Sequence, residues 1–150
     1  MKKLKATHYG KAELFPGIKS DSYVLSDGIT VLSERGTADL LGIDKKLLSK
    51  MREDWPPEII KPFIMQSSFV IYEPIKVTAK NSPQKGKKIV VYDIQFIESF
   101  ITGYALAFAS GELKPDQISI GERCMSLQSA LISNVLGASI QEQVQLKKID

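Results

Sequence analysis

Apolar and polar positions recur along this 150-residue chain in three different ways, and each predicts a different kind of element. Near the front, "KAELFPGIKSDSYVLSDGITVLSERG" offers short extended runs broken by "PG" and "DG". Tyr23-Val24-Leu25 and Ile29-Thr30-Val31-Leu32 flank Ser26-Asp27-Gly28, the pattern of a β-hairpin with a tight turn. The first ten residues are polar and basic, and predict a loose arm. Apolar residues then take a helical spacing on either side of Gly42 in "TADLLGIDKKLLSKMRE", which predicts helices over about 34–41 and 44–52. Ser33 and Asp44 are placed to cap them, while Gly36 weakens the first turn of the former. Trp55-Pro56-Pro57 stops the second helix, because the residue before a proline is pushed out of the α region.

Beyond an apolar connector, "PEIIKPFIMQSSFVIYEP", the runs "PIKVTAK" and "KKIVVYD" predict a second hairpin around the tip "NSPQKG". The rear is helical. Ile94, Ile97, Ile101, Tyr104 and Phe108 form one stripe; after a break at "GELKP", Ile120, Cys124, Leu127, Leu131 and Val135 form another. Two such stripes joined by a short loop predict an antiparallel helix pair, with Gly137 ending the second helix and "ASIQEQVQLKK" adding a short final strand. The expected fold class is α+β. It comprises an N-terminal β-hairpin and helix-turn-helix-like pair, a second basic β-hairpin, and a C-terminal antiparallel helix pair. All belong to a single domain over 1–150, with a basic front part (1–91) and a helical rear part (92–150).

The front pair of helices has the spacing of a helix-turn-helix. Ala38 is small where helices approach, Gly42 can take the positive φ of a sharp turn, and Leu48 packs the second helix on the first, with Leu41, Ile43 and Met51 around it. The outward positions of the second helix are Lys45, Lys46, Ser49, Lys50 and Arg52. Such residues can neutralise phosphates, and lysine or arginine can donate to guanine O6 and N7. An ordinary helical corner with solvated lysines would look the same. The tip "KNSPQKGKK" adds Lys80, Lys85, Lys87 and Lys88, either as a wing along a phosphate backbone or as an edge hairpin that discourages aggregation with lysines.

Charge sharpens this picture. Residues 1–91 hold 16 Lys/Arg against 10 Asp/Glu, a net +6, whereas residues 92–150 hold 4 against 7, a net −3. The front is thus expected to face something anionic and the rear to do another job. Phe96, Phe100, Leu106 and Phe108 fall beyond the seam of the helix pair, so they either pack on the front sheet or form a self-association surface. A homodimer pairing two recognition helices on DNA half-sites is the expected oligomer.

Composition excludes several classes. No run reaches the ~20 apolar residues of a membrane span, and "MKKLKATHYGKAELF" lacks the apolar core of a signal peptide. Cys124 alone cannot form an internal disulfide, and one Cys and one His cannot fill a structural zinc site, so the expected setting is a reducing cytoplasm. His8 has no serine or cysteine motif around it, Cys124 falls on an apolar stripe, and "GKK" lacks the spacing of a P-loop. No enzyme activity, metal or cofactor is expected.

Several separated motifs, in order, are similar to one family. "ATHYGKAEL", "YVLSDGITVLSERG", "IIKPFI", "PIKV", "FITGYALAFASGEL" and "ISIGERCMSLQSAL", with its Glu122-Arg123-Cys124, cover roughly 6–142. The chain resembles the "P-sixty-three C-terminal" domain of phage and prophage proteins, grouped with the KilA-N, Bro-N and antirepressor modules of DNA viruses. It departs from that pattern in "LISNVLGASIQEQVQL" and at Gly103 and Ser110. The resemblance implies a phage-derived regulator in the cytoplasm of a bacterial host. Two readings stay open: a transcriptional regulator that binds double-stranded DNA, or a non-enzymatic inhibitor of a host nucleic-acid-binding protein complex, such as an antirepressor or anti-CRISPR.

Overall fold

A computed structural model describes residues 3–64 and 72–149, with side chains as far as Val144. The fold is α+β, a six-stranded mixed sheet with four helices. In chain order these are β1 (Lys5–Phe15), β2 (Ile18–Leu25), β3 (Thr30–Ser33), α1 (Glu34–Leu41), α2 (Lys45–Glu53), β4 (Ile75–Val77), β5 (Lys88–Ile89), β6 (Val91–Asp93), α3 (Ile94–Ala109) and α4 (Ile118–Ile149).

Strand order is β5-β4-β1-β2-β3-β6, with β1 and β4 parallel and the other neighbours antiparallel. The two outermost strands are therefore consecutive in the chain, with only Val90 between them. Residues two apart cannot be separated by more than about 7.6 Å, since each Cα–Cα step is 3.80 Å. The sheet must curl until its edges meet, as a small barrel does. Val90 locks this seam to the helices, its carbonyl accepting from the Glu34 N–H at 3.0 Å.

Closure creates two cores. Ala6, Tyr23, Leu25, Val31, Ile75, Val77, Ala79 and Val91 fill the inside of the curl. The neighbours Leu32 and Tyr92 point outward, and meet α1–α4 in a second core with Leu40, Leu41, Leu48, Ile60, Phe96, Phe100, Tyr104, Cys124 and Leu127. Adjacent strand residues thus serve opposite cores, as the period of two requires.

The hairpin around Asp27-Gly28 is β2–β3, and its Asp27 carboxylate accepts from the Ile29 N–H at 3.1 Å. Both predicted front helices form, capped as expected: Ser33 Oγ accepts from the Gly36 N–H (2.9 Å) and Asp44 from the Lys46 N–H (2.7 Å). Gly36 has a reason beyond helix propensity. A Cβ there would lie 2.9 Å from the backbone of Asp21, so α1 could not approach β2 this closely with any side chain.

Four expectations change. The predicted loose arm is mostly strand: β1 pairs along nearly its whole length with β2 across the Pro16-Gly17 turn. It buries little besides Ala6, so no apolar alternation announces it. The run "KKIVVYD" does not stay in one hairpin. Lys88 and Ile89 pair with β4, and Val91–Asp93 crosses to pair with β3, because a closed sheet needs that run at both edges. The middle of the apolar connector, 65–71, lies outside the described residues. In α3, Ile94 is exposed, while Phe96 and Phe100 are fully buried against Tyr92 and Trp55 (ring centroids 5.1 Å for Tyr92–Phe96, 4.7 Å for Trp55–Phe96). These two phenylalanines pack on the front of the molecule and offer no self-association surface. Gly103 admits the connector, its missing Cβ leaving room for Ile60.

Finally, α4 does not end at Gly137, and "ASIQEQVQLKK" is helix. An exposed glycine costs a helix only about 1 kcal/mol relative to alanine, and Leu136, Ala138, Gln141 and Glu142 around it favour helix. Val135, expected on the buried stripe, is 64% exposed. Only the first half of α4 packs on α3. Leu127 is fully buried and Leu131 half-buried, so Leu127→Ala is expected to destabilise by ~2–5 kcal/mol. Leu131→Ala should cost less, and Ser129→Ala, at an exposed position of the same helix, under about 0.5 kcal/mol, as surface changes do. Urea denaturation of the three variants checks that order.

Candidate nucleic-acid interface

The corner between α1 and α2 is positioned from both sides. Gly42 takes φ +71°, the left-handed conformation that lets the chain turn sharply, and its N–H donates to Ala38 O. Leu48 is fully buried beneath α2, with Ile43 and Met51 half-buried beside it. From α4, Arg123 reaches across: Nε donates to Leu40 O (3.0 Å), Nη2 donates to Asp39 O (3.1 Å), and the guanidinium lies 4.5 Å over the Phe15 ring. Those carbonyls are the unpaired, partially negative end of α1, where a cation is best placed. Arg123 thus fastens the corner to the rear helices. The sequence presented it only as part of "ERC", and its partners are more than eighty residues away.

Held this way, α2 keeps Lys45, Lys46 and Lys50 exposed. Ser49 is half-buried. Arg52 departs from its expected outward role: it packs inward, its guanidinium 5.2 Å over Tyr92 and one Nη buried. Tyr92 in turn donates its hydroxyl to Glu34 at 2.9 Å. Burial first, then the Glu34 carboxylate, hold that hydroxyl well above its ordinary pKa, with Arg52 acting the other way. The exposed cations of α2 are therefore all lysines.

The hairpin tip lies back on the barrel end. Thr78 and Ala79 N–H groups donate to Ala6 O, Asn81 donates to Tyr9 O, and buried Ser82 shares a 2.8 Å hydrogen bond with the Tyr23 hydroxyl. Lys80, Lys85 and Lys87 remain exposed around this anchored turn. A groove of about 270 Å³ brings the tip and α2 together: Lys45, Arg35, Gln84, Ile89 and Val90 line it, along with Asp21 and Glu34. Lys88 lies elsewhere. It lines a cavity of about 410 Å³ with Lys3, Lys5 and Lys76, and strand pairing is what brings Lys5, Lys76 and Lys88 together.

Other candidate chemistry is accounted for locally. His8 is exposed and shares a 2.9 Å hydrogen bond with Thr7. Burial pushes the Cys124 thiol up to about 12, with Arg123 opposing it, so little thiolate exists at neutral pH. Among the described residues, no three His, Cys, Asp or Glu side chains gather as a metal site would need, and no helix is long and apolar enough to cross a membrane.

Removing Arg123 should loosen the corner. Hydrogen bonds from a charged donor are worth ~1.5–3 kcal/mol, so Arg123→Ala is expected to destabilise by about that amount in thermal or urea unfolding. Arg123→Lys should recover only part, because an ammonium lacks the planar fork that reaches two carbonyls. A loss under about 0.5 kcal/mol, typical of surface changes, would show that the corner holds without it.

No protein-family model, curated protein or solved structure matches the chain.

Proposed function

We propose that this protein is a phage-derived transcriptional regulator that binds double-stranded DNA through α2 and the neighbouring hairpin tip. The observation that carries this reading is the exposure of Lys45, Lys46 and Lys50 on a helix whose corner is clamped by Leu48 and Arg123, with Lys45 in the same groove as the tip. Lysines are compact point charges suited to phosphates. With Arg52 turned inward, phosphate contacts that fix position outweigh contacts that read bases.

A surface with so little base readout gains specificity by pairing two copies on half-sites. The second half of α4 supports that pairing. From 124 to 141 the chain carries no charge, and Ile132, Val135, Leu136, Ile140 and Val144 are all exposed. A helix end of this length is marginal without packing. Beside Ile132 lies an apolar groove of about 380 Å³, lined by Leu14, Leu40, Ile97, Ile101 and Leu131 among others. One molecule carries both the apolar tail and the groove, the self-complementarity a two-fold dimer requires. Between 124 and 141 no charge repels a like copy.

The purified protein is expected to retard duplex DNA in a shift assay, with affinity falling steeply as salt rises. Changing Lys45, Lys46 and Lys50 together to Ala should remove most retardation and leave the melting temperature nearly unchanged. If low-salt lanes show no retardation, the regulator reading fails, and the protein-binding inhibitor (antirepressor or anti-CRISPR) takes its place. Light scattering tests the dimer separately. A mass about twice the 16.7 kDa chain is expected at micromolar concentration, reduced to one chain by Val135→Glu with Leu136→Glu. A wild-type monomer would overturn the pairing.

A further inference from the structure

Strand register places three lysines side by side. Lys5 on β1 is directly opposite Lys76 on β4, and Lys76 is directly opposite Lys88 on β5. Residues in direct register share a face of the sheet, and here it is the outer one: Ala6, Ile75 and Val77 are buried inside the curl while all three lysines are exposed. Like charges opposite one another disfavour the pairing that holds them. Among the described residues none of the three has an ion pair, the salt bridge found being Lys61–Glu58.

The row borders a concave space. Lys3, Lys5, Lys76 and Lys88 share the cavity of about 410 Å³ with Leu4, Tyr72, Pro74 and Ile75, and with one carboxylate, Glu73. That volume lies within the range of small-ligand sites. Its wall combines a half-buried aromatic ring with aliphatic side chains, and its rim is almost wholly cationic. We infer that this cavity binds a nucleotide unit, its base against Tyr72 and its phosphates along Lys5, Lys76 and Lys88.

The chemistry selects this ligand over other anions. A row of lysines presents point charges that phosphate oxygens can accept from, and three in succession match a ligand carrying more than one negative charge better than a single carboxylate. The cavity holds a ring, which a flat anionic surface does not supply. Strands are spaced about 4.8 Å apart, so the row spans about 10 Å, enough for about two successive phosphates. Glu73 can accept from a ribose hydroxyl or a base amino group. The same chemistry occurs in a free nucleotide and in an unpaired nucleic-acid strand, whose bases stack readily on aromatic rings. The site shares no lysine with α2, so it stands or falls apart from duplex binding.

The test uses the full chain and fluorescence anisotropy with a labelled single-stranded DNA 12-mer at low salt, competed by ATP and by inorganic tripolyphosphate. Wild-type protein is expected to bind. Lys76→Glu, which breaks the row at its centre, should weaken binding at least tenfold while raising the melting temperature, because it pairs with the two lysines beside it. A double change, Lys76→Gln with Lys88→Gln, should flatten the salt slope by roughly 1.4, about 0.7 for each phosphate released. Tyr72→Ala should weaken binding about tenfold without changing that slope. The triple α2 variant, Lys45, Lys46 and Lys50 to Ala, should keep its single-strand affinity. ATP competing as well as unlabelled 12-mer identifies a free nucleotide as ligand, and a 12-mer competing tens of times better identifies a strand; either supports the site. Affinity within twofold of wild type in Lys76→Glu would overturn it. So would tripolyphosphate that competes as well as either nucleotide ligand, or an α2 variant that abolishes single-strand binding.

Discussion

Closure of the sheet at Val90 governs most of the architecture. β5 and β6 are separated by this one residue, yet they occupy opposite ends of the strand order. The covalent chain therefore acts as a clasp that holds the two edge strands next to each other. It also fixes where the helices go. Glu34, first residue of α1, bonds to the Val90 carbonyl, and α3 starts directly from β6 with Asp93 Oδ1 accepting from the Phe96 N–H at 2.8 Å. Both helices are thereby launched from the seam onto the same outer surface. The aromatic file Tyr92, Phe96, Phe100 and Tyr104, joined by Trp55, fills the space between them.

This arrangement explains why the two halves of the chain differ in charge. The front half builds most of the barrel, and Lys5, Lys11, Lys19, Lys76 and Lys88 stand at exposed positions of its strands. The rear half lies across the barrel, and α3 is buried on several sides by the connector, the sheet and α4. Only α4 outruns its support: about 1.5 Å per residue carries it well past the last residue of α3 against which it packs.

What the sequence disclosed is what short-range chemistry determines. The caps of Ser33 and Asp44, the turn at Gly42, the stop before Pro56 and the buried Leu48 each depend on residues within a few positions. The same holds for the α+β class and the existence of two rear helices. What stayed hidden depends on pairing between distant residues. β1 carries almost no apolar alternation because one of its faces meets solvent and the other contributes little more than Ala6 to the core. The split of "KKIVVYD" follows from closure, a global property. Arg52 looked outward on a helical projection, but Tyr92 from forty residues away draws it in. Lys5, Lys76 and Lys88 are separated by 71 and 12 positions, and only register brings them together.

The cost of that lysine row bears on how stability and binding divide within the fold. Each direct like-charge pair across strands costs up to ~1 kcal/mol, screened in part by salt because the side chains are exposed. The barrel tolerates this because its inner face is apolar at the same strands: Ala6 is buried beside Lys5, Ile75 and Val77 are buried on either side of Lys76, and Ile89 beside Lys88 is partly buried against the same core. Burying such side chains contributes roughly 0.8 kcal/mol per methylene, enough to hold the register against the repulsion. Adjacent residues on β1, β4 and β5 thus do opposite work, one set closing the barrel and the other presenting a cationic face. A ligand with matching negative charge would remove the repulsion on binding, so its affinity and the stability of the β1–β4–β5 edge would rise together.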